Sequence, residues 1–324
     1  MAYSGSMTRP IFDFLLLPEF SFIGFAALVE PLRIANRFQP DAYRWRMVGV
    51  DGQPVTASNG IDLHPQARLS DASEANVVFA IASFNPLAHY TQALGRLLQQ
   101  RVQQGASLGA IDTGCFVLAE AGLLQRESVT LHWEAVPAFQ ERYPLVHVQG
   151  EARFTLSPTL MTSAGAMASV DLMLEVISRD HGHALALRVS EQLVSGWVRD
   201  RADHQRLQIS VRYKVHNAKV VQVIERMELH IESPLSSDAL ASPIGVTRRQ
   251  LERLFQDHLN VSPLQFYLRL RLERARHLLR QSSMGIIEIG LACGFASASA
   301  FSRGYRRQHG MAPSEDRKER PQRQ

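Results

Sequence analysis

Residues 106–124 read ASLGAIDTGCFVLAEAGLL. The apolar run Ala106 to Ile111 has the length of a buried strand, and Asp112-Thr113-Gly114 turns it sharply into a helix over Cys115 to Ala121 that stops at Gly122. A strand–turn–helix elbow of this kind presents one side chain at the mouth of a pocket, backed by a helix N-terminus that favours anions. Here that side chain is the carboxylate of Asp112. The same alternation continues on both sides. Ile11 to Leu17 reads as a strand, Ser21 to Arg37 as a helix, Tyr43 to Val50 as a strand, Asn76 to Ser83 as an apolar run and Pro86 to Gln104 as an amphipathic helix. Beyond the elbow come short strands near Val129 and Val146, then a helix from Thr162 to Asp180 around a Ser163-Ala164-Gly165-Ala166 turn. Strands and helices at these intervals predict a flavodoxin-like parallel sheet covered on both faces.

The chain has 324 residues, 45% hydrophobic and 20% charged, which suits two or three packed domains and excludes a disordered or fibrous protein. The longest apolar stretches, such as Ile11 to Pro18, fall short of the ~18–20 residues that span a bilayer, and the chain opens without a charged-then-apolar leader. Cys115 and Cys293 lie far apart, which argues against a disulfide framework and for a reducing cytoplasm. The expectation is a soluble cytoplasmic protein. His181-Gly182-His183 carries metal-type residues without further ligands at suitable spacing, so no metal or cofactor is expected.

Charge is unevenly placed. Residues 219–324 carry 17 Lys and Arg against 11 Asp and Glu, and 15 of the 17 cations are Arg, whereas residues 1–218 carry 18 against 20. Arg suits phosphate and guanine edges, so the last third is the candidate nucleic-acid partner. Between Ser195 and Lys219 periodicity is lost and the chain is polar and basic, as a linker would be. After it everything reads as helix, and helix-turn-helix spacing occurs twice. In the first unit, a short helix (Ser236 to Ser242) and a turn at Ile244-Gly245-Val246 precede a second helix whose Thr247 and Gln250 have capping-box spacing. Leu251, Leu254, Phe255 and Leu259 form its buried stripe, leaving Arg248, Arg249, Glu252, Arg253 and Gln256 outward, as on a recognition helix. The second unit runs from Ile286 through Gly294-Phe295 into a helix over Ala298 to Gln308, with Ser299, Ser302, Arg303, Arg306 and Arg307 outward. Pro263 opens a long helix between the units, a spacer able to set two reading helices about one DNA turn, roughly 34 Å, apart. Arg271, Arg274 and Arg276 on it, and Arg306, read chiefly as phosphate-contacting or solubilising residues.

These residues identify a resemblance. The segment from about Val221 to Arg317 resembles the DNA-binding domain of the AraC/XylS transcription regulators through Leu235, Ala241, Val246 to Phe255, Pro263, Arg271, Ala275, Leu278-Leu279, Ile286, Ile289, Cys293-Gly294-Phe295, Phe301-Ser302-Arg303, Tyr305, Gly310 and Pro313. It implies base-facing roles for Arg249, Glu252 and Arg253 in the first unit and for Ser299, Ser302 and Arg303 in the second. Pro243 departs from the pattern and is expected to shorten the first helix, and Glu315-Asp316-Arg317 replaces a more common Tyr-Arg ending. The stretch Gly109 to Leu124 with Val129 to Trp133, together with Phe14 to Pro18, Phe20, Pro31 to Asn36, and Thr162 to Gly165 before Asp171, resembles the class I glutamine amidotransferase-like domain of PfpI type found in GlxA-like regulators. In the enzymes of that family a Cys stands at the elbow and a His follows. Here His132 matches but Asp112 replaces the Cys, which weakens the alternative of a retained PfpI-type hydrolase or lyase activity.

The resemblance implies an amidotransferase-like ligand sensor over residues 9–195, a linker at 196–218, an AraC-type double helix-turn-helix domain at 219–318 and a basic tail at 319–324. The combination of Asp-Thr-Gly, His132-Trp133 and Glu315-Asp316-Arg317 resembles the subgroup controlling catabolism of carnitine, glycine betaine or arginine. All three carry a cationic nitrogen, which a buried Asp112 would suit. Asp112, Thr113, Cys115, His132 and Trp133 are the expected ligand-binding residues, and Trp45, Phe20 and Phe116 are further aromatics for a cation cage, although core packing is the more ordinary role of each. The expected partners are double-stranded DNA at an operator, a small cationic effector, RNA polymerase (as for an activator) and a second copy in a homodimer.

Overall fold

The computed structural model describes residues 10–71, 74–124, 127–194, 205, 209–282 and 284–318. The chain divides into two compact units, residues 1–205 and 206–324.

The first unit is built on a seven-stranded sheet. Its strands are β1 (Ile11–Leu16), β2 (Arg44–Gly49), β3 (Ala67–Arg68), β4 (Val77–Ala82), β5 (Ser107–Asp112), β6 (Phe154–Leu156) and β7 (Leu160–Ser163). The order is β6-β7-β5-β4-β1-β2-β3, parallel throughout except for the antiparallel β6–β7 edge. Its helices are α1 (Phe22–Phe38), α2 (Gln92–Gln103), α3 (Gly114–Glu120), α4 (Val136–Arg142), α5 (Met167–His181) and α6 (His183–Gln192). Phe12, Phe14 and Leu16 alternate onto the sheet face that carries the main core with residues of α1, α5 and α6. Asp13 points to the other face, where it meets Arg46 at 2.8 Å and Arg101 of α2 at 3.7 Å. Burial on both faces explains why the central strands are continuously apolar rather than alternating.

Three local expectations change. The helix expected over Pro86 to Gln104 breaks: Pro86–His89 is a 3-10 turn, and α2 begins only after Thr91, whose hydroxyl accepts from Leu94 N–H at 3.1 Å as an N-cap. The helix expected from Thr162 starts at Met167, because residues 160–163 pair with β5 as a strand. Helix α6 follows α5 directly, hinged at Gly182 (φ 91°). His181 there meets Gln39 at 3.0 Å and packs edge-on against Tyr43.

The second unit contains α7 (Ile209–Arg212), α8 (Ala218–Leu229), α9 (Ser237–Ala241), α10 (Arg248–Leu259), α11 (Pro263–Gln281), α12 (Ile286–Ala292), α13 (Ala298–His309) and α14 (Pro313–Lys318). Helix α9 ends at Ala241, and Pro243 sits in a 3-10 turn that closes at left-handed Gly245 (φ 65°), the shortening expected from that proline. The Thr247–Gln250 capping box is present, and Ser262–Gln265 forms a second one at the head of α11. Ile209 and Val215, which the sequence places in the linker, are buried in the core of this unit, so the linker is shorter than residues 196–218. At the other end, Gln205 belongs to the first unit. The remaining residues of the expected linker, and the basic tail at 319–324, lie outside the described residues. No helix among the described residues is long and apolar enough to cross a membrane.

Candidate ligand site and DNA interface

The carboxyl-terminal edge of the parallel strands concentrates backbone strain. Glu19 after β1, Asn85 after β4, Asp112 at the end of β5 and Ala166 after β7 all have positive φ (63°, 49°, 57° and 45°) without being glycine. Strained non-glycine residues persist where the surrounding structure holds them, and the crevice at this edge is where open α/β sheets bind ligands. The side chains of Asn85 and Glu19 also meet there, at 3.2 Å. This pair was missed from sequence because neither residue lies in a motif.

Asp112 is the elbow residue, as expected. Its register partner on β4 is Ala82, and its carbonyl accepts from His132 N–H at 3.2 Å, so the two expected site residues are adjacent. Ser83 hydrogen-bonds the carboxylate, and Thr113 Oγ1 donates to the Ser83 carbonyl at 2.5 Å. Two glycines make the close approach possible. A Cβ on Gly114 would lie 2.2 Å from the Ala80 carbonyl oxygen, and one on Gly165 (φ 91°) would lie 3.1 Å from Asp112 Cβ. Burial pushes the Asp112 carboxyl up to about 6, against the opposing pull of His132 and the Ser83 hydrogen bond. A group in that state changes charge close to neutrality and gains most from a cation brought against it.

Not every expected residue is available at the elbow edge. Cys115 is fully buried and its thiol donates to the Thr130 carbonyl at 3.6 Å. Burial raises that thiol above its ordinary range, so it is a packed core group and neither a ligand contact nor a thiolate nucleophile. Thr113 is buried, with its hydroxyl committed to Ser83. Phe20 packs edge-on against Phe25, and Phe116 against Phe139 and Tyr143. Trp45 lies on β2 in register with Phe12, towards the start of β1 and away from the elbow edge. A cage drawn from Phe20, Trp45 and Phe116 is therefore not formed. His132 and Trp133 remain half-buried, with ring centroids 5.7 Å apart.

In the helical unit, Arg248, Arg249, Glu252 and Arg253 are exposed on α10, and Ser299, Arg303 and Arg306 on α13, with Ser302 half-buried. Arg248 and Glu252 pair at 3.3 Å, and Arg306 meets Glu315 of α14 at 3.4 Å. Exposed pairs of this kind contribute little to stability and yield readily to a stronger partner. Helix α11 has 19 residues, about 28 Å of rigid rod between the two helix-turn-helix units.

Arg271 and Arg276, expected to contact phosphate or aid solubility, hold the fold instead, and so does Arg280. Arg271 donates to the carbonyls of Cys293 and Gly294 at 2.8 and 2.6 Å and stacks over Phe295, fixing the turn of the second unit to α11. Arg276 Nε donates to Asp316 at 3.0 Å, and Arg280 does so through two nitrogens at 3.2 and 2.9 Å.

A half-buried acidic elbow on an α/β sensor, joined in one chain to two capped recognition helices, defines a DNA-binding transcription regulator with its own sensor unit. The family comparisons agree. Residues 240–319 match the helix-turn-helix domain family and residues 19–179 the DJ-1/PfpI family. The HTH-type transcriptional regulator CdhR of Pseudomonas aeruginosa is 52% identical over 306 residues, covering 94% of this chain and 91% of that one. GbdR, an HTH-type transcriptional regulator of the same species, is 39% identical, covering 95% of this chain and 84% of that one. A crystal structure of an AraC family transcriptional regulator from Pseudomonas putida superposes with a TM-score of 0.53 at 27% identity, covering 57% of this chain and 99% of that one. The chain belongs to the AraC-family transcriptional regulators that carry a DJ-1/PfpI domain ahead of their DNA-binding domain.

Proposed function

We propose that the sensor unit binds a small metabolite with a cationic nitrogen, of the carnitine, glycine betaine or arginine class, at Asp112, and that occupancy controls operator binding by the helical unit. Asp112 carries this reading: a carboxyl raised to about 6 by burial, held at a strained elbow with His132 alongside. A cation offsets the desolvation that Ser83 and His132 only partly compensate. His132 and Trp133 supply the aromatic edge, and Thr113 holds the turn. With Cys115 buried and protonated and Asp112 at the nucleophile's position, the sensor binds without turnover. The protein works in the cytoplasm as a homodimer, and as an activator it presents RNA polymerase with a DNA-bound surface.

Calorimetric titration of the full chain with glycine betaine, dimethylglycine, carnitine, arginine and neutral isosteres tests the reading. Saturable heat is expected with a cation and none with its neutral counterpart. Binding of the neutral compound equally well, or of no cation at all, would remove Asp112 as the anchor.

On the DNA side, Arg248, Arg249, Glu252 and Arg253 of α10 and Ser299, Ser302, Arg303 and Arg306 of α13 are the proposed contacts. Arg253→Ala is expected to weaken operator binding by about 1–3 kcal/mol while leaving random-sequence binding nearly unchanged. Equal losses on both DNAs in a gel-shift titration would make Arg253 a phosphate contact.

A further inference from the structure

Gln205 is the last residue of the sensor unit, where the chain passes towards the helical unit. It lies in a stretch without periodicity, which the sequence suggests is plain linker. In the structure its backbone N–H donates to the Glu151 carbonyl at 2.9 Å. Its side-chain Oε1 accepts from Trp133 N–H at 2.9 Å. Its Nε2 donates to the carbonyls of Leu131, Gly150 and Ala152 at 3.0, 3.2 and 2.7 Å. One residue thus bonds two segments, 131–133 and 150–152, that lie on either side of α4 in sequence and continue from the paired residues 128–129 and 147–148. Three carbonyls and an amide N–H converge on it, and a carboxamide suits them because it both accepts and donates, its two Nε2 protons shared among the three carbonyls; a carboxylate has no proton for the carbonyls and an aliphatic chain offers neither.

The segment it grips is the wall of the candidate ligand site. Leu131 and Trp133 flank His132, whose N–H is bonded to the Asp112 carbonyl at 3.2 Å. Two hydrogen bonds, Asp112 to His132 and Trp133 to Gln205, joined by the peptide bond between His132 and Trp133, therefore connect the elbow to Gln205. From this we infer that Gln205 is a positioning residue that latches the inter-unit chain to the His132–Trp133 wall, so that a ligand seated at Asp112 alters the restraint on the DNA-binding unit. The inference rests on the proposed cation site for its ligand and on the observed hydrogen bonds for its latch. A relay of this kind transmits only if the two ends share the bonds, and by linkage an effect in one direction implies the reverse.

Two measurements on the full chain separate the parts. The first needs no ligand: hydrogen exchange of peptides covering 129–135 and 203–209 in wild type, Gln205→Ala and the isosteric Gln205→Glu. Both peptides are expected to lose protection together, by about tenfold or more, in either variant while the rest of the sensor keeps its protection. Unchanged exchange, or loss confined to one peptide, overturns the latch. The second is calorimetric binding of glycine betaine, carnitine and arginine alongside a transcriptional reporter given each compound. Gln205→Ala is expected to lose the transcriptional response even at compound concentrations that saturate the variant in calorimetry. A retained response overturns the relay, and lost binding would make Gln205 a pocket-building residue instead. If wild type binds none of the three compounds, the cation site fails, and the exchange experiment alone decides the latch.

Discussion

Replacing Asp316 with alanine is expected to lower the stability of the helical unit by about 3 kcal/mol, the scale on which a buried charge network fails when its central carboxylate is removed. Asp316 is fully buried at 0% exposure, and its two oxygens accept from Tyr305 Oη at 2.6 Å and from Arg276 and Arg280. The Tyr305 contact dominates the expected loss, because that hydroxyl is itself buried and would be left without an acceptor. The arginines are partly exposed, at 35% and 44%, and recover much of their solvation once released. Burial pushes the Asp316 carboxyl up, but Tyr305, Arg280 and Arg276 together hold it below its ordinary value of 3.8. A carboxyl depressed in the fold stabilises above its unfolded value and loses that contribution as pH falls through the folded one. The gap between wild type and Asp316→Asn in urea unfolding is therefore expected to be full at pH 7 and to shrink below about pH 4. A gap of equal size at both ends would assign the residue's contribution to packing alone. Because Asp316 on α14 ties to α11 and to Tyr305 of α13, the loss should appear in the second helix-turn-helix unit first.

How much of this was legible in the sequence follows from the kind of interaction involved. The central strands were readable because they are buried on both faces and so are apolar without interruption, as in residues 77–82. The start of α10 was readable because Thr247 and Gln250 cap it locally. The elbow was readable because its turn, Asp112 to Gly114, is contiguous. Edge strand β6 and its neighbour β7 were not, because three and four residues give too short a run to outweigh the helical pattern beside them. Arginine roles were misread for a more basic reason. Arg271 and Arg276 have the same chemistry whether they meet a phosphate, a helix-end carbonyl or Asp316, and only the fold brings Cys293, Gly294 and Asp316 to them. Gln205 was invisible for the same reason, since its partners lie 53 to 74 residues away.

Asp112→Asn is expected to stabilise the sensor unit at neutral pH while abolishing cation binding. The Asp112 carboxyl is raised from 3.8 to about 6, first by burial and also by Glu134, with His132 and the Ser83 hydrogen bond opposing. The unfolded chain releases this proton near pH 4 and the folded chain retains it to about 6. Stability from this group is therefore highest below pH 4, falls between pH 4 and 6, and stays low above. At about 1.4 kcal/mol per pKa unit, the cost of the charged form is about 3 kcal/mol, and an isosteric amide escapes most of it. For a unit of this size the gain corresponds to roughly 5 °C in melting temperature at pH 7.5, fading to nothing by pH 4. Cation affinity in wild type runs the opposite way: it rises about tenfold per pH unit up to about 6 and then levels, because only the ionised carboxyl attracts the ligand. A variant no more stable than wild type at any pH would mean that Ser83 and His132 already compensate the charge internally, which leaves no electrostatic reason for a cation to bind. Stability gained together with binding lost would mean that the charge is kept, at a cost to the fold, for the ligand that neutralises it.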